Sequence, residues 1–319
     1  LNLALVPFDD RDGWIWLDGA FKPWREAKLH VLTHALHYAS AVFEGERMYE
    51  GRIFALEEHT ERLFRSAALL DFEIPYTKAA INRASTEVCE RNNFSDCYVR
   101  PIAWRGSEQL SVSALNTRIH VAIAAWAWPK YFDEAKLKRG IRLCWAAYHR
   151  PPANAAPTAA KAVGLYMICT ISKNIAERNG YEDALMLDSD GNIAETTGTN
   201  IFFVRDGALH TPIADCFLDG ITRQTIIHLA RESGVIVHER RIRPEELPSF
   251  SECFVVGTAA EVTPVGEIAE HLFTPGALTF SLKERYEELV RQPPAPHEHV
   301  GEGAALRVGC EPCSPKLSA

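Results

Sequence analysis

The sequence predicts an α/β (α+β) protein of two domains, and three observations carry that expectation. Short runs rich in β-branched and aromatic residues, such as Tyr98–Trp104 and Ile119–Ala125, have strand character. Longer stretches, such as Glu57–Leu70 and Ile221–Glu232, repeat apolar residues at helical spacing. The pattern then breaks at Trp128-Pro129-Lys130-Tyr131 and the charged stretch Asp133–Gly140, dividing 319 residues into two parts that can each bury a core. The expected limits are a first domain over 1–128, a connection over 129–139, a second domain over 140–283 and a terminal extension over 284–319, without assigned structure beyond about Arg291.

The elements follow in order. Trp14–Asp18 alternates as a short strand, and Gly19 supplies its turn. In Glu57–Leu70, Leu63, Ala67 and Leu70 form one helical stripe with Arg62 beside it, and Asn82–Asn92 is a second helix. Past the connection come the strand Ile141–Ala146, a Pro/Ala-rich loop over Arg150–Ala160, and a helix over Leu165–Asn179 ended by Gly180. Asp183–Asp188, Asn192–Glu195 and Asn200–Val204 are strands, with Asp-Gly turns at 190–191 and 206–207. The helix Ile221–Glu232 stops before Gly234, and Glu252–Gly257 is a further strand. Beyond Arg291 the composition turns to Pro, Gly and Glu.

Composition narrows the function. Apolar and charged fractions of 47% and 24% are ordinary for a water-soluble globular chain. The longest apolar run, Ile119–Trp128, is too short to span a bilayer. A net charge of −8 with no basic block argues against nucleic acid as a partner. Most of the eight cysteines lie in apolar runs, where a free thiol packs as a small hydrophobe, which fits a reducing cytoplasm. Cys310-x-x-Cys313 lacks the second pair of a zinc site. His30, His34 and His37 have a spacing that would align three imidazoles on a helix, but no Cys or carboxylate pattern accompanies them, so no metal is expected.

Four features point to chemistry. Lys161 sits among small, nearly uncharged residues, Pro157 to Gly164, where burial would lower its pKa toward a nucleophilic amine. Leu218-Asp219-Gly220-Ile221-Thr222-Arg223 places a glycine, backbone N–H groups and a hydroxyl at a helix start, a cradle for phosphate. Gly257-Thr258-Ala259-Ala260-Glu261 offers open backbone N–H groups after a strand. Glu195 ends a strand before Thr196-Thr197-Gly198-Thr199, as a partner for a protonated ring nitrogen or as a plain turn carboxylate. Taken singly, each also has an ordinary structural reading.

Their order is more specific. Phe43-Glu44-Gly45-Glu46-Arg47, Tyr98-Val99-Arg100-Pro101, Lys161-Ala162-x-Gly164-x-Tyr166, Gly220-Ile221-Thr222-Arg223 and Gly257-Thr258-Ala259-Ala260-Glu261-Val262-Thr263-Pro264 together resemble the fold-type IV pyridoxal-5′-phosphate enzymes, specifically the branched-chain-amino-acid aminotransferases. His34-Ala35-Leu36-His37-Tyr38 before Val42-Phe43-Glu44-Gly45 is similar to their N-terminal motif, and the resemblance spans roughly Asp12 to Phe280. It implies a Schiff-base lysine at Lys161, a tyrosine at Tyr166 for the cofactor's phenolic oxygen and a pyridine-nitrogen carboxylate at Glu195. Arg62, Ile221, Thr222 and Thr258 match phosphate contacts. Tyr38, Phe43, Tyr98, Arg100, Trp128 and Tyr131 match the substrate pocket, with Thr258 and Ala259 backbone groups meeting the substrate α-carboxylate.

The resemblance further implies a homodimer, a cleft between domains, and amino-group exchange between leucine, isoleucine or valine and 2-oxoglutarate, so that amino acids and 2-oxo acids are the small-molecule partners. Two positions depart from the family pattern. Glu195 is followed by Thr196-Thr197-Gly198-Thr199-Asn200 instead of Gly-x-Gly-Glu-Asn, and Asp219 replaces a proline before Gly220. D-amino-acid aminotransferases and aminodeoxychorismate lyase share the cofactor residues and stay open as alternatives within the fold, and the rival from another class is a non-catalytic cofactor-binding or structural protein that retained the fold.

Overall fold

The computed structural model describes residues 6–128 and 134–292. The first domain is a seven-stranded sheet built from β1 (Trp14–Leu17), β2 (Ala20–Pro23), β3 (Ala41–Phe43), β4 (Glu46–Tyr49), β5 (Arg52–Ile53), β6 (Cys97–Arg105) and β7 (Ile119–Trp126). Its order is β2-β1-β7-β6-β4-β5, with β3 also on β6, and all pairings are antiparallel. A short helix α1 (His34–Tyr38) precedes β3. Helices α2 (Leu56–Leu69) and α3 (Lys78–Arg91) pack on the sheet through Leu63, Ala67, Ile81, Ala84 and Val88, which meet Val99, Val121 and Ile123. The i, i+3/i+4 stripe of each helix thus meets alternate residues of the strands, the arrangement that removes both apolar faces from water. Helix α3 begins four residues before the expected Asn82 because Thr77 caps it, accepting from the Ala80 N–H at 3.2 Å.

The connection also departs from expectation. The described part of the charged stretch after 133 forms α4 (Glu134–Arg139). Pro129 to Asp133, including Tyr131, lie outside the described residues, as do Cys310 and Cys313.

The second domain holds nine strands: β8 (Ile141–Trp145), β9 (Asp183–Leu187), β10 (Ile193–Thr196), β11 (Asn200–Arg205), β12 (Ala208–Thr211), β13 (Val237–Glu239), β14 (Glu252–Gly257), β15 (Glu261–Ile268) and β16 (His271–Leu272). They run β10-β9-β8-β15-β14-β11-β12-β13, with β16 on β15. The pairs β8–β9, β8–β15 and β12–β13 are parallel. Both faces are covered, which explains continuous apolar runs in place of alternation. Ile201, Phe203, Cys253 and Val255 face one core, while Phe202, Val204, Phe254 and Val256 face another beneath α6 (Ile221–Glu232) and α7 (Ala277–Leu289). The expected helix over Leu165–Asn179 is a 3-10 turn, Val163–Tyr166, continued by α5 (Met167–Arg178).

Helix α7 crosses the expected domain limit at residue 283. Leu282, Tyr286 and Val290 are buried in the α6 core, so the chain just after 283 belongs to the second domain and not to an extension.

Gly140, between α4 and β8, fixes how the second domain begins. Its φ is +81°, and a Cβ there would stand 2.2 Å from the Gly266 backbone nitrogen. Gly180 has a similar φ of +79° but faces open space. Gly180→Ala should therefore cost about 1–2 kcal/mol for the left-handed backbone alone. Gly140→Ala should cost at least about 3 kcal/mol, since strain and a backbone clash add. Denaturant unfolding of both variants checks this, and equal losses would remove the close-approach argument.

Candidate active site

One cleft gathers most of the expected residues. About 770 Å3 of space, open to solvent, is lined by Arg62, Tyr98, Lys161, Tyr166, Glu195, Ile221, Thr222, Thr258 and Ala259, joined by Gly45, Arg150 and Asn200. Both domains contribute to it, a common position for a ligand site.

The first domain anchors Lys161. The lysine's N–H donates to Ser66 Oγ on α2 at 3.0 Å, and its carbonyl accepts from the Phe43 N–H at 3.1 Å. Ala162 forms a β-bridge with Val42. The 3-10 turn that follows returns Tyr166 to the lysine, leaving its hydroxyl 2.8 Å from Lys161 Nζ, and the Phe43 ring meets Tyr166 edge-on at 4.9 Å. Burial pushes the Lys161 amine down to about 8, and Arg62 acts in the same direction, while Glu44 opposes. An amine near that value is uncharged often enough at neutral pH to act as nucleophile and base.

Arg62 reaches the cleft from α2 with two of its donors committed: Nε and Nη2 donate to the two oxygens of Glu44 at 2.7 and 2.8 Å. Glu44 also meets His59 Nδ1 at 2.7 Å. Burial alone would raise the Glu44 carboxyl, but Arg62 and His59 hold it below the carboxylate range, and the pair keeps its charges in a dry site. Gly45 next to it has no room for a side chain, because a Cβ would stand 2.0 Å from the Tyr98 hydroxyl.

On the second domain, a bulge in the β9–β10 pairing sets Glu195 toward the cleft. Arg150 Nε lies 3.3 Å from one oxygen, and Asn200 Nδ2 donates to the other at 3.3 Å. Burial pushes the Glu195 carboxyl up to about 7, against Arg150 and Lys161, which pull it down. Asn200 also donates to the Leu218 carbonyl at 3.0 Å, tying Glu195 to the turn before α6. That turn requires Gly220, whose Cβ would stand 2.3 Å from Asn200 Oδ1. Ile221 and Thr222 then open α6, where first-turn N–H groups lack helical partners and favour an anion. Thr258 and Ala259 also line the cleft, in the turn from β14 to β15.

The remaining candidates are less centrally placed. The Phe43 ring lies 5.0 Å from Lys161 Nζ. Arg100 stacks on Phe43 at 4.7 Å, donates to the Tyr98 hydroxyl at 3.2 Å, and has no carboxylate within ion-pair distance among the described residues. Trp128 stacks on Tyr98 at 4.6 Å. Tyr38 does not line the cleft; it is 44% exposed and packs on His34. The three histidines do not converge: His34 Nε2 meets the Ser111 carbonyl and His37 Nε2 the Val31 carbonyl. Arg150 escaped sequence reasoning, and Asn200 entered it only as the last residue of the family pattern after Glu195. No spacing rule links residue 150 to 195, and the one signal for Arg150 is that it opens the Pro/Ala-rich loop before Lys161.

An amine kept dry beside a tyrosine, a carboxylate–arginine pair across the cleft and a helix start for an anion are the parts of an amino-group-transfer enzyme. The chain belongs to the class IV amino-transferase family, whose profile matches residues 41–268. It is 41% identical over 288 residues to the branched-chain-amino-acid aminotransferase of Pseudomonas aeruginosa, covering 88% of this chain and 94% of that protein. The crystal structure of the branched-chain aminotransferase from the thermophilic archaeon Thermoproteus uzoniensis with norvaline has a TM-score of 0.84 at 37% identity, over 88% of this chain and 95% of that one. The holo-form branched-chain amino acid aminotransferase from Thermobaculum terrenum, which carries pyridoxal 5′-phosphate, gives 0.80 at 32% identity with the same coverage. The two-domain fold expected from the fold-type IV resemblance is thus the fold found.

Glu195 supplies a pH test. Its folded value of about 7 exceeds the usual 4.5, so the folded state holds this proton more tightly than the unfolded one. Its contribution to stability is therefore favourable at low pH and is lost as pH rises from about 4.5 to about 7. Removing the Arg150 cation should move the transition higher still. In cofactor-stripped protein, infrared titration of the carboxyl stretch should show a band lost near pH 7 in the parent and at higher pH in Arg150→Met. A transition unmoved by the substitution would deny Arg150 this role.

Proposed function

We propose that the chain exchanges amino groups between branched-chain L-amino acids (leucine, isoleucine and valine) and 2-oxoglutarate, using pyridoxal 5′-phosphate held at Lys161. The observation that carries this reading is the Lys161 amine, desolvated and bonded to Tyr166, facing Glu195 in a cleft that ends at the α6 start. The donor set fits the cofactor: an amine for an aldehyde, a buried carboxylate for a ring nitrogen, and an anion cradle that no carboxylate among the described residues fills.

When bound, the cofactor supplies an electron sink for the pair left as the substrate Cα–H bond breaks. Lys161 takes the Cα proton and returns it on the other side of the exchange. Glu195, whose ionised form Arg150 and Lys161 favour against burial, would hold a proton on the ring nitrogen by charge pairing. Tyr166 orients the lysine and bonds the phenolic oxygen. Arg62, Ile221, Thr222 and Thr258 would hold the phosphate and so keep the ring from tilting. The backbone of Thr258 and Ala259 meets the substrate α-carboxylate. Phe43, Tyr98 and Trp128 give the side-chain pocket its apolar walls.

A homodimer fits the surface. Val31, Leu36, Val112, Leu115 and Met167 are each more than 60% exposed, more apolar area than a lone chain gains from presenting to water. Six described cysteines, none in a disulfide, fit a cytoplasmic setting, and no described helix is long and apolar enough to cross a membrane.

One pocket must accept both leucine and glutamate. Apolar walls reject a second carboxylate unless a cation meets it. Arg100, stacked on Phe43 and without a carboxylate partner among the described residues, is that cation. Arg100→Met should slow the glutamate half-reaction roughly ten- to a thousandfold in single turnover, and the leucine half-reaction much less. Equal losses would assign Arg100 to the scaffold, and no leucine half-reaction in the parent would overturn the function.

A further inference from the structure

One side chain of the first domain is buried in the core of the second. On β4, Met48 belongs to the first domain's core, whereas the next residue, Tyr49, lies in the cluster beneath α6 and α7 and is 1% exposed. Its hydroxyl donates to Glu261 at 2.7 Å. Arg47, two residues back on the same face of the strand, lies over the Tyr49 ring at 4.8 Å and stands 3.9 Å from the same Glu261 oxygen. The reaction above leaves this junction between the domains unused.

Glu261 occupies a place where the backbone favours glycine. Gly257 pairs with Glu261 across β14 and β15, which leaves Thr258, Ala259 and Ala260 as a three-residue hairpin loop. Such loops commonly close on a residue in the left-handed region, and glycine enters it without steric cost. Glu261 is there instead, at a φ of +52°. Among the described residues, the partners of its carboxylate are Tyr49 and Arg47, both on β4 of the first domain. The strain of the loop is thus offset from the other domain, a pattern expected where a conformation serves a site. The ring of Tyr49 adds to this grip, because Val256 and Val262, the facing pair just outside the loop, lie in its cluster. Thr258 and Ala259 in the loop line the cleft.

We propose that Tyr49 and Glu261 are positioning residues for the substrate α-carboxylate: their bond between the domains sets the 258–260 loop so that its backbone N–H groups meet that carboxylate. The inference rests on the reading of Thr258 and Ala259 made above. It also joins two parts of the substrate site. Phe43 and Gly45 precede β4 and Tyr49 ends it, so one short strand connects the wall for the side chain with the loop for the carboxylate.

The test uses two probes with the same leucine-like chain, 4-methylpentanoate and its neutral amide, 4-methylpentanamide. Full-length protein loaded with pyridoxal 5′-phosphate is titrated with each by calorimetry, and the acid-to-amide affinity ratio is read. Tyr49→Phe should lower the ratio about three- to tenfold by weakening the acid, with the amide nearly unchanged. Glu261→Gly removes the same bond while giving the loop the residue its backbone favours. It should lower the ratio as much, and it stands in if Tyr49→Phe does not fold. The double variant should fall no further, since one bond is lost in all three. A ratio kept in Glu261→Gly would mean that the loop is set by its own backbone, and equal weakening of both probes would make the bond a matter of packing. Losses that add in the double variant would mean that the residues act separately. Each of these overturns the proposal. If the parent prefers the acid and every variant keeps that preference, the proposal fails and the carboxylate assignment stands. If the parent binds acid and amide equally, the assignment fails and the proposal goes with it.

Discussion

The ion pair of Glu44 with Arg62 is the constraint on which the cleft depends. Glu44 is fully buried between the end of β3 and helix α2, and its desolvation is offset by four partners: two guanidinium N–H groups, the imidazole of His59 and the Gly45 backbone N–H. A buried charge of this kind adds little to stability over an apolar replacement, but losing one partner strands the other at a cost of about 3–5 kcal/mol. The pair therefore fixes geometry. It holds the strand-to-strand segment with Phe43 and Gly45 against the helix that also contributes Ser66, the acceptor for the Lys161 N–H. It leaves part of the Arg62 guanidinium facing the cleft as a standing positive wall.

Across the cleft, Glu195 and Arg150 repeat the arrangement with the roles reversed. Here the arginine is the buried support, 4% exposed, and the carboxylate is the group presented to the ligand. Arg62 faces the cleft as a cation and Glu195 as a carboxyl that burial holds near 7, the arrangement that the proposed binding of a phosphate and a ring nitrogen would use. Among the described residues Lys161 is the one lysine lining the cleft, and its amine sits where burial and the Arg62 field both disfavour its charged form. The groups that would meet the cofactor are thus in place before anything binds, which lowers the reorganisation required in the proposed reaction.

Much of this was legible in the sequence, for identifiable reasons. Helix α6 matched its expected limits, Ile221 and Glu232, because Gly220 and Gly234 bound an unbroken apolar period. Lys161, Tyr166, Glu195 and the two glycine turns were found because their order resembles a family, and the cleft brings them together. What stayed hidden depends on contacts distant in the chain. Glu44 was visible only as part of a motif, with nothing to say that it would bind Arg62 eighteen positions on. Arg150 meets Glu195 through folding alone, and Tyr286 looked like the start of an extension because α7 has a weak amphipathic pattern over charged residues. Glu46 is hidden most deeply: buried in the first domain without a hydrogen-bond partner among the described residues, it is held protonated, well above the carboxylate range, by burial and by Glu44.

The central claim is that the fold itself makes the Lys161 amine reactive. The most direct measurement is a titration of that one amine in cofactor-stripped protein. Brief acylation across a pH series, followed by peptide mass mapping, gives the reactive fraction at Lys161 beside that of exposed lysines in the same sample. The account predicts a midpoint near 8 for Lys161, against about 10.5 for an ordinary lysine. A Lys161 midpoint that coincided with the exposed lysines would contradict it, since the amine would then be charged at neutral pH and unable to serve as nucleophile or base.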